Sequence, residues 1–362
     1  MEVARHTTSG GPEGMRGVSG GAGGRVGETY VGGRTKEENM RRNLLIALLG
    51  LMLQCVAAQF VSAETWAQKL GWGPNDRVLM IHADDVGMCR ETVLGATDAY
   101  ENGVVSCMSI MMECPWVGLI ADYLKQHPDT DAGLHLALNS EWDHYRFGPV
   151  AGKSAVPSLA DQWGCLWDSV DQVKQNASAD EVEIEIRAQI ARALAFGIKP
   201  THIDTHMGAL YCRPDIAMRY IKVGIEMGLP VMAVDLPKEQ VDQEAPGLGD
   251  AFKQIIQTVW DSGLPVIDSL VPAEYGMAPE KKKADYIRLL RELPPGVNEL
   301  IVHCAKDSEN FRAITDAAPR WIADGQVMLD PEIKQVIKDE GIILTGWREL
   351  KARRDAVGKG TK

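Results

Sequence analysis

The sequence predicts a single barrel-like α/β domain, and three observations carry that prediction. Short apolar runs alternate with amphipathic stretches from Val78 to about Leu350, giving seven or eight strand-and-helix units. No linker of changed composition interrupts them. Polar residues recur at the C-terminal ends of the apolar runs, where parallel α/β folds place their active sites. A doubly wound open sheet is the alternative arrangement of the same units. With 362 residues, 45% of them hydrophobic, the chain is long enough to bury either core.

The first strand is VLMIHADDVGM, Val78 to Met88, which ends in the adjacent acids Asp84 and Asp85 before Gly87 lets the chain turn. Two carboxylates buried side by side require a cation or a shared proton. A helix from Glu91 to Asn102, closed by Gly103, leads to a second strand, Val104 to Met112. After a helix from Pro115 to about Gln126, the run DAGLHLAL, Asp131 to Leu138, makes a third strand bearing His135. The segment Asn139 to Ser178 is irregular and carries Trp142, Tyr145, Phe147, Trp163 and Trp167. Loops of that length are functional or disordered. The aromatics argue for order, as faces on which sugar rings stack or as pins to the core.

A strongly amphipathic helix from Asp180 to Phe196 precedes THIDTH, Thr201 to His206, the fourth strand end. Then follow a helix from Pro214 to Met227, the strand PVMAVD ending at Asp235, a helix around Ala251 to Trp260 and the strand PVIDSL ending at Leu270. A helix from Pro279 to Leu293 precedes the strand Glu299 to Ala305, with His303. The stretch after it is rich in acids and alanines. A helix from Pro331 to Asp339, the strand IILTGW and a helix from Arg348 complete the chain.

The N-terminal part differs in kind. Residues 1–39 are rich in Gly, Ser and Thr without apolar periodicity, which predicts disorder or an extension that is never translated. At Met40 the pattern changes to Arg41 and Arg42, a short apolar run and small residues up to Ala63, as in a secretory signal peptide. Gln54 and Gln59 interrupt the run and argue against a retained anchor. The expected organisation is therefore an extension (1–39), a signal peptide (40–63) and an exported domain (64–362), with translation beginning at Met40. Six cysteines remain in that domain, at no zinc-ribbon spacing, and both free thiols and bridges are compatible with them. A net charge of −12 disfavours nucleic acid and anionic membrane surfaces and suits a neutral or cationic small substrate.

Four polar groups thus sit at separate strand ends: Asp84 with Asp85, His135, the trio His202, Asp204 and His206, and His303. Strand ends on one side of a parallel barrel converge. Two neutral imidazoles with one carboxylate are a common divalent-metal ligand set, and a second acid beside it can take a proton from water. Along an extended strand, His202 and His206 would stand about 13 Å apart at roughly 3.3 Å per residue. Both bind one ion only if the strand ends before His206.

The motifs HADDVGM, GLHLAL and THIDTHMG, in this order, resemble those of the YdjC-like (ChbG-type) carbohydrate deacetylases, relatives of the polysaccharide deacetylases. The resemblance spans about Arg77 to Leu350. It implies a distorted (β/α) barrel that binds a divalent cation, magnesium with zinc as the alternative, and removes N-acetyl groups from amino sugars such as chito-oligosaccharides. It implies Asp84 as general base and Asp85, His135 and His206 as metal ligands. His303 is implied as general acid or as a group orienting Asp84. In the insertion NSEWDHYRFGPV, residues Glu141, Trp142 and Arg146 are implied to line the substrate pocket. The chain departs from the family pattern at Met207 and Gly208, where many members continue with histidines, and at Cys304 and Ala305, which replace Pro and Gly.

Two other classes fit part of the pattern. A metal-independent glycoside hydrolase would use two carboxylates such as Asp84 and Asp204 and keep its activity in chelator. A non-catalytic exported sugar-binding protein would bind chito-oligosaccharide and release no acetate. Mass-spectrometric N-terminal sequencing of the natural protein should read from Glu64; a chain beginning at Met1 or retaining residues 40–63 contradicts the export expectation.

Overall fold

Strand β1 (Arg77–Val86) is the centre of the sheet, flanked along its length by three other strands. The structure is a computed structural model that describes residues 64–244, 246–271 and 277–359. The expected extension (1–39) and signal peptide (40–63) lie outside the described residues. The other strands are β2 (Cys107–Ile110), β3 (Ala132–Leu136), β4 (Ile203–Thr205), β5 (Ser269–Val271), β6 (Gly296–Val302) and β7 (Ile343–Leu344). Their order is β4-β3-β2-β1-β6-β5, with β7 beside the first residues of β1, and each ladder is parallel. Single bridges between Ile203 and Val231 and between Val234 and Ile267 carry the pairing from β4 round to the residues before β5. The sheet therefore curls into the distorted barrel that the sequence predicts, with the helices on its outside.

Most expected strands are present, several of them shorter. The predicted strand 230–235 is reduced to the two bridges, because the Tyr220 hydroxyl occupies the seam: it donates to the Ile203 carbonyl at 2.6 Å and accepts from the Met232 amide at 2.9 Å. β6 begins three residues earlier than expected, at Gly296. Gly296 and Asn298 read as turn residues, yet they pair with Arg77 and Leu79. Helices Glu309–Ile314 and Ala318–Val327 fill the stretch after β6 where the sequence suggested none. Ser308 caps the first and Pro319 opens the second.

Alternation along β1 separates two cores. Leu79, Ile81 and Ala83 join the large cluster under the helices, whereas Val78 and Met80 pack inside with Cys107, Ile267, Val297 and Trp347. With a period of two, His82 and Asp84 continue the inner face. The barrel interior is thus an apolar plug below and a polar column above. Within that column Gly133 of β3 admits the His202 ring, whose atoms would lie 2.5 Å from any Cβ placed there.

The 139–178 segment is ordered. It contains the helix Val170–Asn176, a bridge from Asn139 to Trp167 and another from Ala160 to Leu166. Trp142 and Phe147 are buried and the Trp167 indole donates to the Ser158 carbonyl, so these aromatics pin the segment. Trp163 alone among the five stays exposed, at 76%. All six described cysteines are free thiols, four of them buried. Among the described residues, no helix is long and apolar enough to cross a membrane.

Candidate metal centre

The adjacent acids reach one pocket because β1 is not regular at its end. The β1 and β2 register shifts between Ala83 and Val86, and Asp85 adopts φ 58°. Asp85 and Met207, at φ 50°, are the only non-glycine residues with positive φ among the described residues. Each such position costs of order 1–3 kcal/mol and persists only where its surroundings impose it. In a regular strand, neighbouring side chains face opposite sides of the sheet. Here both Asp84 and Asp85 line a pocket of about 890 Å³, together with His135, His206 and His303.

β4 ends at Thr205, and His206 begins a 3₁₀ turn. That ending separates the two histidines of the fourth strand. His206 turns up into the pocket, while His202 stays in the column below, stacked on Trp347 at 5.2 Å.

Three donor atoms converge. Asp85 Oδ1 lies 3.2 Å from His135 Nε2 and 3.1 Å from His206 Nδ1, and those nitrogens are 3.2 Å apart. Each ring is tied at its other nitrogen: His135 Nδ1 to Asp204 Oδ1 at 2.9 Å, and His206 Nε2 to both oxygens of Glu141 at 3.0 Å. A carboxylate behind each imidazole fixes its tautomer and turns the near nitrogen's lone pair forward. Asp85 Oδ1 is buried and meets no hydrogen-bond donor in proper geometry, despite its two close neighbours. A nearly equilateral triangle of two nitrogens and one orphaned carboxylate oxygen, with sides close to 3.2 Å, fits a divalent cation at about 2.1 Å from each atom. The residues therefore fit a metal ion.

The surrounding charges agree with that fit. Burial works against ionising Asp85, yet His206 and His135 outweigh it and hold the carboxyl well below the usual range. Burial likewise opposes charge on the two rings. Asp84 and Asp204 nevertheless raise His135 well above the imidazole range, and Glu141 with Asp85 raises His206 to about 10. For Asp84 burial prevails over its histidine neighbours and the carboxyl is raised. Its Oδ1 accepts from Ser109 Oγ at 3.2 Å, while Oδ2 lies 3.9 Å from His135 Nε2.

The remaining expected residues divide. His303 faces the pocket, with its Nε2 3.5 Å from Asp85 Oδ2, and its charge also bears on Asp84. Its ring stacks on Trp321 at 4.7 Å, and Asp324 accepts its backbone N–H. Glu141 lines the pocket, yet its carboxylate serves His206. Trp142 packs 5.5 Å from the His206 ring and 6.3 Å from Trp321. Arg146 is not at the pocket: its guanidinium is held by Asp161 and the Leu166 carbonyl, bracing the long loop. Met207 and Gly208 form part of the pocket wall.

Sequence reasoning missed the roles of Ser109, Asp204, His82 and Trp321. Ser109 and Asp204 share the inner-face alternation of their strands. His82 sits inside an apolar run that reads as plain core. A second group of buried atoms, His82, His202 and Asp204, also has ligand-like spacing. There the two Nε2 atoms bond each other at 3.2 Å and lie below the pocket, so they satisfy themselves.

Fold and site together define an α/β-barrel protein with a two-histidine, one-carboxylate cluster at the C-terminal ends of its strands. The chain belongs to the YdjC-like protein family, whose model matches residues 78–339. Among curated relatives, a carbohydrate deacetylase of Thermus thermophilus is 31% identical over 273 residues, covering 75% of this chain and 93% of that protein. A carbohydrate deacetylase of Thermoanaerobacter pseudethanolicus is 25% identical over 275 residues, covering 76% and 100%. A solved structure from Enterococcus faecalis V583, described as a "putative cellobiose-phosphate cleavage protein", superposes with a TM-score of 0.64 at 20% identity, covering 76% of this chain and 99% of that one. That likeness concerns the fold.

Because the surrounding carboxylates favour the protonated forms of His135 and His206, loading an ion on those nitrogens should expel protons. Calorimetry of zinc binding near pH 7 in buffers of different ionisation enthalpy should show at least about one proton released per ion. Affinity should then weaken at least roughly tenfold for each pH unit lowered. Binding without proton release contradicts the ligand set.

Proposed function

We propose that the protein is a metal-dependent carbohydrate deacetylase that hydrolyses the N-acetyl group of amino sugars such as chito-oligosaccharides. The observation that carries this reading is the pairing of the donor triangle with a free carboxyl, Asp84, on the same pocket. The names of the curated relatives supply the substrate class. Asp85, His135 and His206 would hold the ion. Imidazole donors suit zinc-like ions better than magnesium, so zinc is the proposed occupant and magnesium the alternative that the resemblance implies. When bound, such an ion supplies Lewis acidity toward a carbonyl and lowers the pKa of water.

The chain's own groups perform the proton transfers. Asp84, made more basic by burial, takes a proton from the attacking water through the oxygen turned to the pocket. Ser109 holds the other oxygen. As the carbon–nitrogen bond breaks, His303 delivers a proton to the departing amine, which leaves acetate and a free amino sugar. Trp321 fixes the His303 ring plane by stacking. Ile301, Met232 and Leu270 give the wall an apolar patch for the acetyl methyl and the sugar face. Asp143 and Asp316 line the pocket with Arg320, and together with Asp84, Asp85 and Glu141 they leave its lining richer in acids than in bases, which suits a neutral or cationic sugar. Export remains proposed from the 40–63 pattern alone.

Acetate release from a panel of acetylated sugars, with metal stripped and then restored, tests the reading. Asp84→Asn should keep its metal and lose on the order of 10²–10⁴-fold in turnover, whereas His135→Ala should lose both. Full acetate release by Asp84→Asn removes the assigned base, and cleavage of the sugar chain that persists in chelator without acetate release returns the two-carboxylate glycosidase.

A further inference from the structure

One side of the pocket is lined by apolar side chains that an acetyl methyl alone does not fill. Met207 follows β4, and Met232 lies between the bridges that join Val231 to Ile203 and Val234 to Ile267. Leu270 is on β5 and Ile301 on β6. All four line the pocket of about 890 Å³. Their segments are consecutive round the barrel wall, so the four side chains form one arc from His206 to His303. Met207 and Leu270 are 52% and 38% exposed, and Met232 and Ile301 are half-buried.

Met207 is the costly member of the arc. It holds φ 50° and Gly208 after it φ 69°, a left-handed pair that glycine or asparagine would adopt with less strain. Burial does not offset that strain, because half the side chain remains in water. The thioether is nevertheless held in place. The buried Asn139 amide donates to Met207 Sδ at 3.1 Å and to Glu141 Oε2 at 3.1 Å, and that carboxylate stands behind His206. The sulfur is thereby tied to the group that orients the ligand ring.

The chemistry of the arc selects its occupant. Sugar rings stack on aromatic faces, and the two indoles at the pocket are already engaged: Trp142 packs among Tyr145, Phe147 and His206, and Trp321 stacks on His303. The arc itself offers thioethers and branched aliphatics, adaptable apolar groups that fit an alkyl chain. On the deacetylase reading, the carbonyl lies at the donor triangle, the water beside Asp84 and the departing amine beside His303. The sector from β4 round to β5 is left for the acyl substituent.

Resting on that reading, we infer that the protein also hydrolyses N-acyl amino sugars whose acyl chain is longer than acetyl, with the alkyl tail lying along Met207, Met232 and Leu270. Water adds to the acyl carbon as Asp84 takes its proton, the carbon–nitrogen bond breaks, and the amine leaves with a proton from His303. The products are a short-chain carboxylate and a free amino sugar.

The test compares the di-N-acetyl and di-N-butyryl forms of chitobiose on the metal-loaded full chain. Each methylene withdrawn from water is worth about fourfold in affinity, so two on a half-open wall should give at least about threefold. The kcat/KM for butyrate release should be no lower than that for acetate release. Calorimetric binding to Asp84→Asn, which is slow with both sugars, should be at least about threefold tighter for the butyryl form. A lower kcat/KM or a smaller difference in binding overturns the inference. Met207→Asn suits the left-handed backbone and removes the thioether. It should lower the butyryl-to-acetyl ratio of kcat/KM by about threefold, and an unchanged ratio overturns the inference. A second sugar ring seated on the arc would instead give a gain with oligosaccharide length and none with acyl length, which also overturns it. If the wild-type protein releases neither acid, the deacetylase reading fails, while the calorimetric comparison still decides what the arc binds.

Discussion

The arrangement depends on one constraint: two imidazoles held from behind by carboxylates, so that their free nitrogens meet at a third carboxylate. Asp204 fixes His135 and Glu141 fixes His206. Without those partners each ring could take either tautomer and turn, and the donor atoms would have no reason to converge. Burying so many charges is costly unless each is paired. The pairing here is nearly complete, and the conspicuous orphan in the triangle is the Asp85 oxygen on which the nitrogens close. An empty, self-sufficient ion-pair network would satisfy that atom; a ligand set leaves it for the ion.

The barrel supplies this constraint through alternation. Residues two apart on β1, β3, β4 and β6 share the inner face, so Val78 and Met80 form the plug, His82 the layer above and Asp84 the pocket floor. Two departures from regular strand geometry finish the site. The irregularity at the end of β1 swings Asp85 beside Asp84, and the early end of β4 frees His206 from the direction of His202. Both departures carry left-handed backbone at non-glycine residues, Asp85 and Met207. Local strain at one ligand, Asp85, and at the residue following another, His206, is consistent with function rather than stability setting the conformation there.

Much of this was legible in the sequence because strand ends are legible. Acids after VLMIHA, a histidine in GLHLAL and another closing HIDTH each stand where an apolar run stops, and the barrel brings such points together. Family resemblance then chose among the histidines; spacing alone left His202 and His206 competing. The partners behind the ligands were not legible. Asp204 looked like a candidate acid and Glu141 like a loop residue facing substrate, since nothing local in a sequence reveals which imidazole a distant carboxylate will meet. Arg146 had the composition of a substrate-binding residue and proved to be a brace for its own loop. His82 was hidden by its apolar neighbours, and Trp321 lies in a helix whose acid- and alanine-rich surroundings blurred its periodicity.

The central claim is that Asp85, His135 and His206 share one divalent ion at the mouth of the barrel. Anomalous diffraction at the zinc edge, from crystals of the full chain soaked in zinc, tests it most directly. The account predicts a single strong peak at about 2.0–2.2 Å from Asp85 Oδ1, His135 Nε2 and His206 Nδ1. No peak at that point, or a peak instead among His82, His202 and Asp204, would contradict it.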